Sequence, residues 1–351
     1  MHSSDSSRIT FTLSALASHL LPISGEAMPS TPIASSSMLE AMSNPTALEG
    51  DNAMTQTEPV SAITGPRLVR LSYGKQPALD AGEAMLREVP AHFDVKVLKA
   101  GGPYALHTEY ASKSRAFDSP LLEGLETLKA SQRRGVPELW TSKTWSEEFG
   151  QFIFRLVGSS APPDVIEIHP PFACTTSTIE DFFENYGTFE AIVRDRFTSC
   201  EFVIENRSGS KHPSPFLISG VDSIVALGQA MASRKLQLRI ALDLPQVFTS
   251  HWGSKHQVGM EGLDLIQRLR PIHAQIHTLH LWGRGASGGA HSGGLDGLFA
   301  AGTGAKEACL RELCQMLDDG EPDRHLVLEV TRQSDMEAIL ADLQNAGFAA
   351  R

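Results

Sequence analysis

The chain has 351 residues, 41% of them hydrophobic, and a formal net charge of -11 at pH 7. This length suits one barrel-sized domain with an appendage, although two smaller domains would also fit. No apolar run reaches the roughly 20 residues of a membrane-spanning helix, so we expect a cytoplasmic protein with no membrane partner. The negative charge argues against a nucleic-acid partner but does not exclude a local basic site.

The cysteine pattern indicates a reducing compartment. The four cysteines form neither a C-x-x-C pair nor a zinc knuckle, which is typical of free thiols; they are Cys174, Cys200, Cys309 and Cys314.

The first 65 residues differ in composition from the rest. They are rich in Ser, Ala, Pro, Thr and Met and contain one arginine, Arg8, and no lysine. Such a segment lacks the periodic apolar residues of a packed element, so we predict a disordered tail over 1–65. Neither a secretory nor a transit peptide fits it. Whether the tail belongs to the mature protein stays open, because a misassigned start codon would give the same sequence.

From Pro66 onward, short apolar runs rich in β-branched residues alternate with segments of helical period. This alternation is typical of βα units around a parallel sheet. We predict eight strands, over 68–73, 93–98, 104–109, 165–170, 201–206, 238–244, 276–282 and 325–330. The predicted helices cover 121–134, 179–196, 221–233, 263–268, 306–317 and 335–344. Eight such strands predict an α/β protein with a (β/α)8 TIM barrel over 66–351.

Polar residues interrupt five of the apolar strands near their carboxyl ends. They are His169 in V-I-E-I-H-P, Glu205 in V-I-E-N, Asp243 in I-A-L-D-L-P, His280 in H-T-L-H-L-W-G and Glu329 in L-V-L-E-V. One such residue is more often a cap or half of an ion pair, but the strand ends of a barrel converge on one face. Buried carboxylates and imidazoles brought together should be paired or should coordinate a cation, and this donor set suits Mn, Zn, Co, Fe or Mg.

The order of these motifs resembles the xylose-isomerase-like TIM barrels, a superfamily that contains sugar and sugar-phosphate isomerases and epimerases together with endonuclease IV. The resemblance covers about 68–348. It implies that Glu205, Asp243, His280 and Glu329 bind a divalent metal.

Some relatives, endonuclease IV among them, add a histidine on strand three and another on strand four. The matching positions are His107 in Y-A-L-H and His169, and they would permit a second metal. The third metal site of endonuclease IV is not matched, because Gln246 stands where a histidine is needed and His291 lacks the preceding Asp. His291 remains a candidate ligand.

Several residues after the strand ends are candidates for binding substrate. Arg207 and Arg284 would lie near the barrel mouth, where a guanidinium clamps an anion, unless they serve only solubility. Trp282 could stack on a sugar or base, or pack the rim. Gln246 is a further candidate.

The resemblance implies a metal-dependent isomerase or epimerase that acts on a sugar or related polyhydroxy carbonyl compound. Glu205 and Glu329 would then be catalytic, binding metal and exchanging a proton beside the carbonyl. The alternatives are an endonuclease IV-like phosphodiesterase, an iron-dependent oxidase and a barrel that only binds. We expect a small-molecule substrate, and the sequence leaves the oligomeric state open.

Overall fold

The computed structural model describes residues 65–73, 86–285, 289–321 and 323–350. The described residues all belong to one compact unit. The predicted disordered tail over 1–65 lies, except for Gly65, outside the described residues.

Eight parallel strands form the barrel: β1 (Arg67–Leu71), β2 (Arg87–Ala91), β3 (Tyr104–Thr108), β4 (Val165–Ile168), β5 (Glu201–Glu205), β6 (Leu238–Asp243), β7 (Ile276–Leu281) and β8 (Arg324–Leu328). A ninth strand of the same sheet, β9 (Ala349–Ala350), pairs in parallel with β1. Each strand from β2 to β7 pairs with the strand that follows it in the chain, and β8 pairs with β1. A parallel bridge between Ser72 and Arg87 joins β1 back to β2, with Ser72 N donating to Leu86 O at 3.0 Å. The predicted (β/α)8 barrel is therefore confirmed.

Helices fill most of the connections between strands. Their bounds are α1 (Glu126–Ala130), α2 (Lys143–Val157), α3 (Ile179–Arg196), α4 (Val221–Ala232), α5 (Leu244–Trp252), α6 (Glu261–Arg268), α7 (Ala305–Leu317) and α8 (Gln333–Ala346). Helix α3 has the predicted bounds, and it begins at Ile179 because Thr178 and Asp181 form a capping box there. No helix in the described ranges is long and apolar enough to cross a bilayer.

Two predicted elements differ in the structure. The second strand is Arg87–Ala91, not 93–98, and its Pro90 would have argued against a strand by sequence. Pro90 is tolerated because β2 forms its regular ladder with β3 alone and meets β1 only through the single bridge. Of the predicted helix over 121–134, only Glu126–Ala130 is α-helical. A 3-10 turn over Pro120–Leu122 precedes it, and Arg134 and Gly135, both at positive φ, turn the chain into a small hairpin after it.

The barrel interior is apolar at mid-height. Small and branched side chains from alternate positions of the strands form this layer: Leu71, Ala105, Val165, Val203, Ala241 and Val327. We call it the apolar layer. It separates the two ends of the barrel interior, and both ends carry polar side chains.

Candidate metal centre

The polar residues at the carboxyl ends of the strands converge above the apolar layer. The set comprises His107 of β3, Glu167 of β4 and His169 just after it, Glu205 of β5, Asp243 of β6, His280 of β7 and Glu329 just after β8. All of these side chains are buried. Carboxylates and imidazoles out of water require compensating partners, so this end of the barrel is the candidate functional site.

Four of these residues form a first ligand cluster: His107, Glu167, His169 and Glu205. The Nε2 atoms of His107 and His169 are 3.1 Å apart, and Nε2 of His169 lies 2.8 Å from Oε2 of Glu205. Two atoms each about 2.1 Å from one cation are about 3.0 to 3.4 Å apart in octahedral and tetrahedral shells. The observed separations are close to that spacing.

A second cluster consists of Glu205, His280 and Glu329. Nδ1 of His280 lies 3.1 Å from Oε1 of Glu329. Because Glu205 belongs to both clusters, its carboxylate could serve two cations side by side. The second metal that the resemblance permits is therefore compatible with the side-chain positions.

Two carboxylates, those of Glu88 and Glu167, orient the rings of His107 and His280. Oε1 of Glu88 lies 3.1 Å from Nδ1 of His107, and Oε2 of Glu167 lies 3.1 Å from Nε2 of His280. If each carboxylate accepts the proton of the nitrogen that it faces, Nε2 of His107 and Nδ1 of His280 keep their lone pairs for a metal. Sequence reasoning missed both glutamates. Glu167 could have been found, since it shares a strand face with His169, but Glu88 lies on the misplaced strand.

The donor atoms fit a divalent cation. Glu167 Oε1 and Glu329 Oε2 are buried without a well-aligned hydrogen bond; Nε2 of His107 lies 3.5 Å from the first oxygen and Nδ1 of His291 lies 3.0 Å from the second. Burying carboxylate oxygens in this way costs free energy unless a cation takes the place of the missing hydrogen-bond donors. Oxygen and imidazole ligands suit Mn, Zn, Co, Fe and Mg, as the sequence predicts.

The electrostatics of the clusters favour ionised Glu205 and Glu329 beside a neutral His169. Burial, opposed by Glu205, lowers the pKa of His169 to about 3, so its ring is neutral at pH 7. Burial acts to raise the pKa of Glu205, but the charge of Arg207 and the neighbouring rings of His107 and His169 lower it well below its usual range. Both are the protonation states that metal ligands require.

Asp243 is placed differently from the other predicted ligands. Its Oδ1 accepts a hydrogen bond from Gln246 N at 2.9 Å and caps helix α5, while its Oδ2 accepts one from Trp282 Nε1 at 3.1 Å. Burial and the charges of Glu329 and Glu205 raise its pKa well above the usual value. Both oxygens thus have partners, and a role for Asp243 as a ligand stays a prediction.

The remaining candidates divide between the site and its surroundings. His291 reaches the second cluster, with Nδ1 3.0 Å from Oε2 of Glu329, and Trp282 packs against the His291 ring. Arg207 donates to Oε1 of Glu205 at 3.0 Å. Gln246 instead accepts a hydrogen bond from Ser208 N, 3.0 Å away.

Arg284 turns away from the clusters. Its guanidinium donates to His256 O and to Thr249 Oγ1. It lines a separate cavity beside Arg332. A substrate-binding role for Arg284 therefore stays a prediction that no contact with the metal centre supports.

A cavity of about 870 Å³ opens onto the metal centre. His107 and Glu329 form part of its floor, and Arg207, His92 and Tyr110 are among its walls. His92 was not predicted as a site residue. Its Nε2 is buried without a hydrogen-bond partner among the described residues, and burial lowers its pKa to about 2, so its ring is neutral. A cavity of this size holds a small molecule.

The sequence matches no protein-family model and no curated protein. Solved structures do resemble the fold. A xylose isomerase domain protein from Planctomyces limnophilus has 13% identity and a TM-score of 0.34, covering 74% of this chain and 95% of that one. Another from Alicyclobacillus acidocaldarius has 14% identity and a TM-score of 0.33, with coverages of 70% and 79%.

A GH53 catalytic domain from Ignisphaera aggregans also resembles the chain. It has 12% identity and a TM-score of 0.38, with coverages of 77% and 87%. At such identities the likenesses concern the fold alone. The assignment of the chain as a TIM barrel rests on the pairing of its own strands, and its buried histidines and glutamates form clusters that could hold a metal.

Proposed function

We propose that this protein is a divalent-metal-dependent isomerase or epimerase acting on a sugar or related polyhydroxy carbonyl compound. The observation that carries the proposal is the pair of ligand clusters sharing Glu205 at the floor of a small-molecule-sized cavity. A cation bound there would polarise a carbonyl group and acidify the adjacent C–H bond.

The two predicted catalytic glutamates have different surroundings. Glu329 lines the cavity, where its Oε2 lies 3.0 Å from Nδ1 of His291 without a well-aligned hydrogen bond. Glu205 is completely buried and contacts Arg207 and His169. We therefore assign to Glu329 the proton transfer at the carbon beside the carbonyl, and to Glu205 the task of holding metal.

The cavity walls supply groups that suit a polyhydroxy substrate. The neutral ring of His92 and the Tyr110 hydroxyl can donate to or accept from substrate hydroxyls. The Arg207 guanidinium lies over the Tyr110 ring, 5.2 Å from its centroid, and holds Glu205 ionised from the same wall. These residues would orient the substrate above Glu329.

The test is proton exchange on a panel of aldoses, ketoses and sugar acids in deuterated water, with the protein reconstituted in turn with Mn, Co, Zn, Fe(II) and Mg. We expect deuterium to enter beside the carbonyl of at least one compound. Glu329→Gln should reduce this exchange by at least about a hundredfold, the range typical of a lost general base. Glu138→Gln is the matched control, since Glu138 also contacts a histidine Nε2, that of His212 at 3.1 Å, away from both clusters.

Other outcomes would overturn the proposal. Cleavage of phosphodiesters without exchange would favour the phosphodiesterase, and oxygen consumption by the iron form alone would favour the oxidase. Equal exchange in the wild type and in Glu329→Gln would remove Glu329 from the chemistry.

A further inference from the structure

A second group of metal-binding side chains lies at the opposite, amino-terminal end of the barrel. It consists of Glu201, the first residue of β5, with His277 and His325, each the second residue of its strand. Glu201 lies four residues before Glu205, which corresponds to about 13 Å along the strand. The apolar layer lies between the two groups. This group is therefore separate from the candidate metal centre.

A β-bulge in β7 places His277 at this end. Ile240 of β6 pairs with Ile276, but the next residue, Ala241, pairs with Thr278, so His277 is an extra residue in β7. A bulge changes the direction of the side chain that it carries. Nε2 of His277 lies 2.8 Å from Oε2 of Glu201, although β6 separates their strands.

His325 completes the group from β8. Its ring centroid is 4.9 Å from that of His277. Its Nδ1 atom is buried and has no hydrogen-bond partner in the part of the chain that the structure describes. One ligand atom from each of Glu201, His277 and His325 lies within 4.8 Å of the other two. Small side-chain rotations would bring these atoms to the spacing of ligands around one cation.

The surroundings of the three residues favour a cation. The carboxylates of Asp164 and Asp323 also act on His325 electrostatically. The side chain of Glu201 is 56% exposed and that of His277 13%, so an ion could enter from solvent. Two imidazoles and one carboxylate suit Zn²⁺ or Co²⁺, with water completing the shell.

We propose that Glu201, His277 and His325 form a further divalent-cation site, of the zinc type, that joins β5, β7 and β8 at the amino-terminal end of the barrel. It does not depend on the proposed function, because it shares no residue with the candidate metal centre. A cation there ties three strands together and stabilises the folded chain.

The test counts bound cobalt in the full-length protein. Protein stripped with a chelator is titrated with Co²⁺ alone, and bound metal is measured by elemental analysis and visible absorption after desalting. We expect His325→Phe, which keeps a ring in place, to bind one equivalent fewer than the wild type. Glu201→Gln should weaken the same equivalent at least about tenfold.

Two controls locate the lost equivalent. His273→Gln alters a 40%-exposed histidine in the 3-10 helix just before β7 and should bind as much cobalt as the wild type. Glu329→Gln at the other end should retain the equivalent that His325→Phe loses. Circular dichroism checks folding, and if His325→Phe is misfolded, Glu201→Gln decides. Equal cobalt content and affinity in the wild type and Glu201→Gln would overturn the proposal.

Discussion

Replacing Glu167 with glutamine tests how the candidate centre holds metal. The Glu167 side chain is almost completely buried, with Oε2 3.1 Å from Nε2 of His280 and Oε1 3.5 Å from Nε2 of His107. Glutamine keeps the size but removes the charge that orients the His280 ring and faces Nε2 of His107. Glu167 is both a member of the first ligand cluster and the outer partner of His280, and loss of the outer contact alone lowers metal affinity about 10- to 100-fold, which equals about 1.4 to 2.8 kcal/mol.

The loss should be visible in thermal unfolding. A metal that binds only the folded chain stabilises it by RT ln(1 + [M]/Kd), where [M] is the free metal concentration. When metal is in excess, a Kd that is 10- to 100-fold higher therefore reduces that stabilisation by about 1.4 to 2.8 kcal/mol. At about 2 °C per kcal/mol for a large domain, the metal-induced rise in Tm should shrink by roughly 3 to 6 °C. Calorimetry of chelator-treated and Zn²⁺-loaded protein measures the rise.

Glu138→Gln serves again as the control for this experiment. Its partner His212 accepts a hydrogen bond from Ser214 N at Nδ1, so Nε2 carries the proton and is no metal ligand. The metal-induced rise should therefore be unchanged. A rise in Glu167→Gln equal to that of the wild type would refute the role given to Glu167.

Three further predictions concern stability and reactivity. Burial acts to raise the pKa of Asp319, but a hydrogen bond from the buried Arg324 lowers it below the usual value. The stability from this pair exists above the usual pKa and is lost as pH falls through the lowered one. Asp319→Asn should therefore cost about 1 kcal/mol at neutral pH and make the free energy of unfolding, measured by urea denaturation, fall less steeply as the pH is lowered. Trp140→Phe removes a 2.7 Å hydrogen bond to His169 O and should cost about 1 to 3 kcal/mol in the same assay. A thiol reagent should label only Cys174 in the native protein, because the other cysteines are buried with raised pKa values; Cys174→Ser should abolish labelling, and labelling that persists would contradict the structure.

The polar residues at the strand ends could be predicted from the sequence because each of them interrupts an apolar run. Glu205, His280 and Glu329 stand at such positions, and parallel strands in a barrel bring their carboxyl ends together. Periodicity and barrel geometry were thus enough to predict that these three side chains meet. The same reasoning gave seven of the eight strands to within a few residues.

Only the tertiary structure decided the partners of these residues. The position of β2 depends on pairing with β3, which no local pattern in R-E-V-P-A reveals, and with it comes Glu88 behind His107. The bulge that redirects His277 arises from a mismatch in register between β6 and β7, so strand alternation alone predicts the wrong direction for this side chain. Local sequence determines which residues are polar within a strand, whereas the contacts they make are set by register between strands distant in the chain.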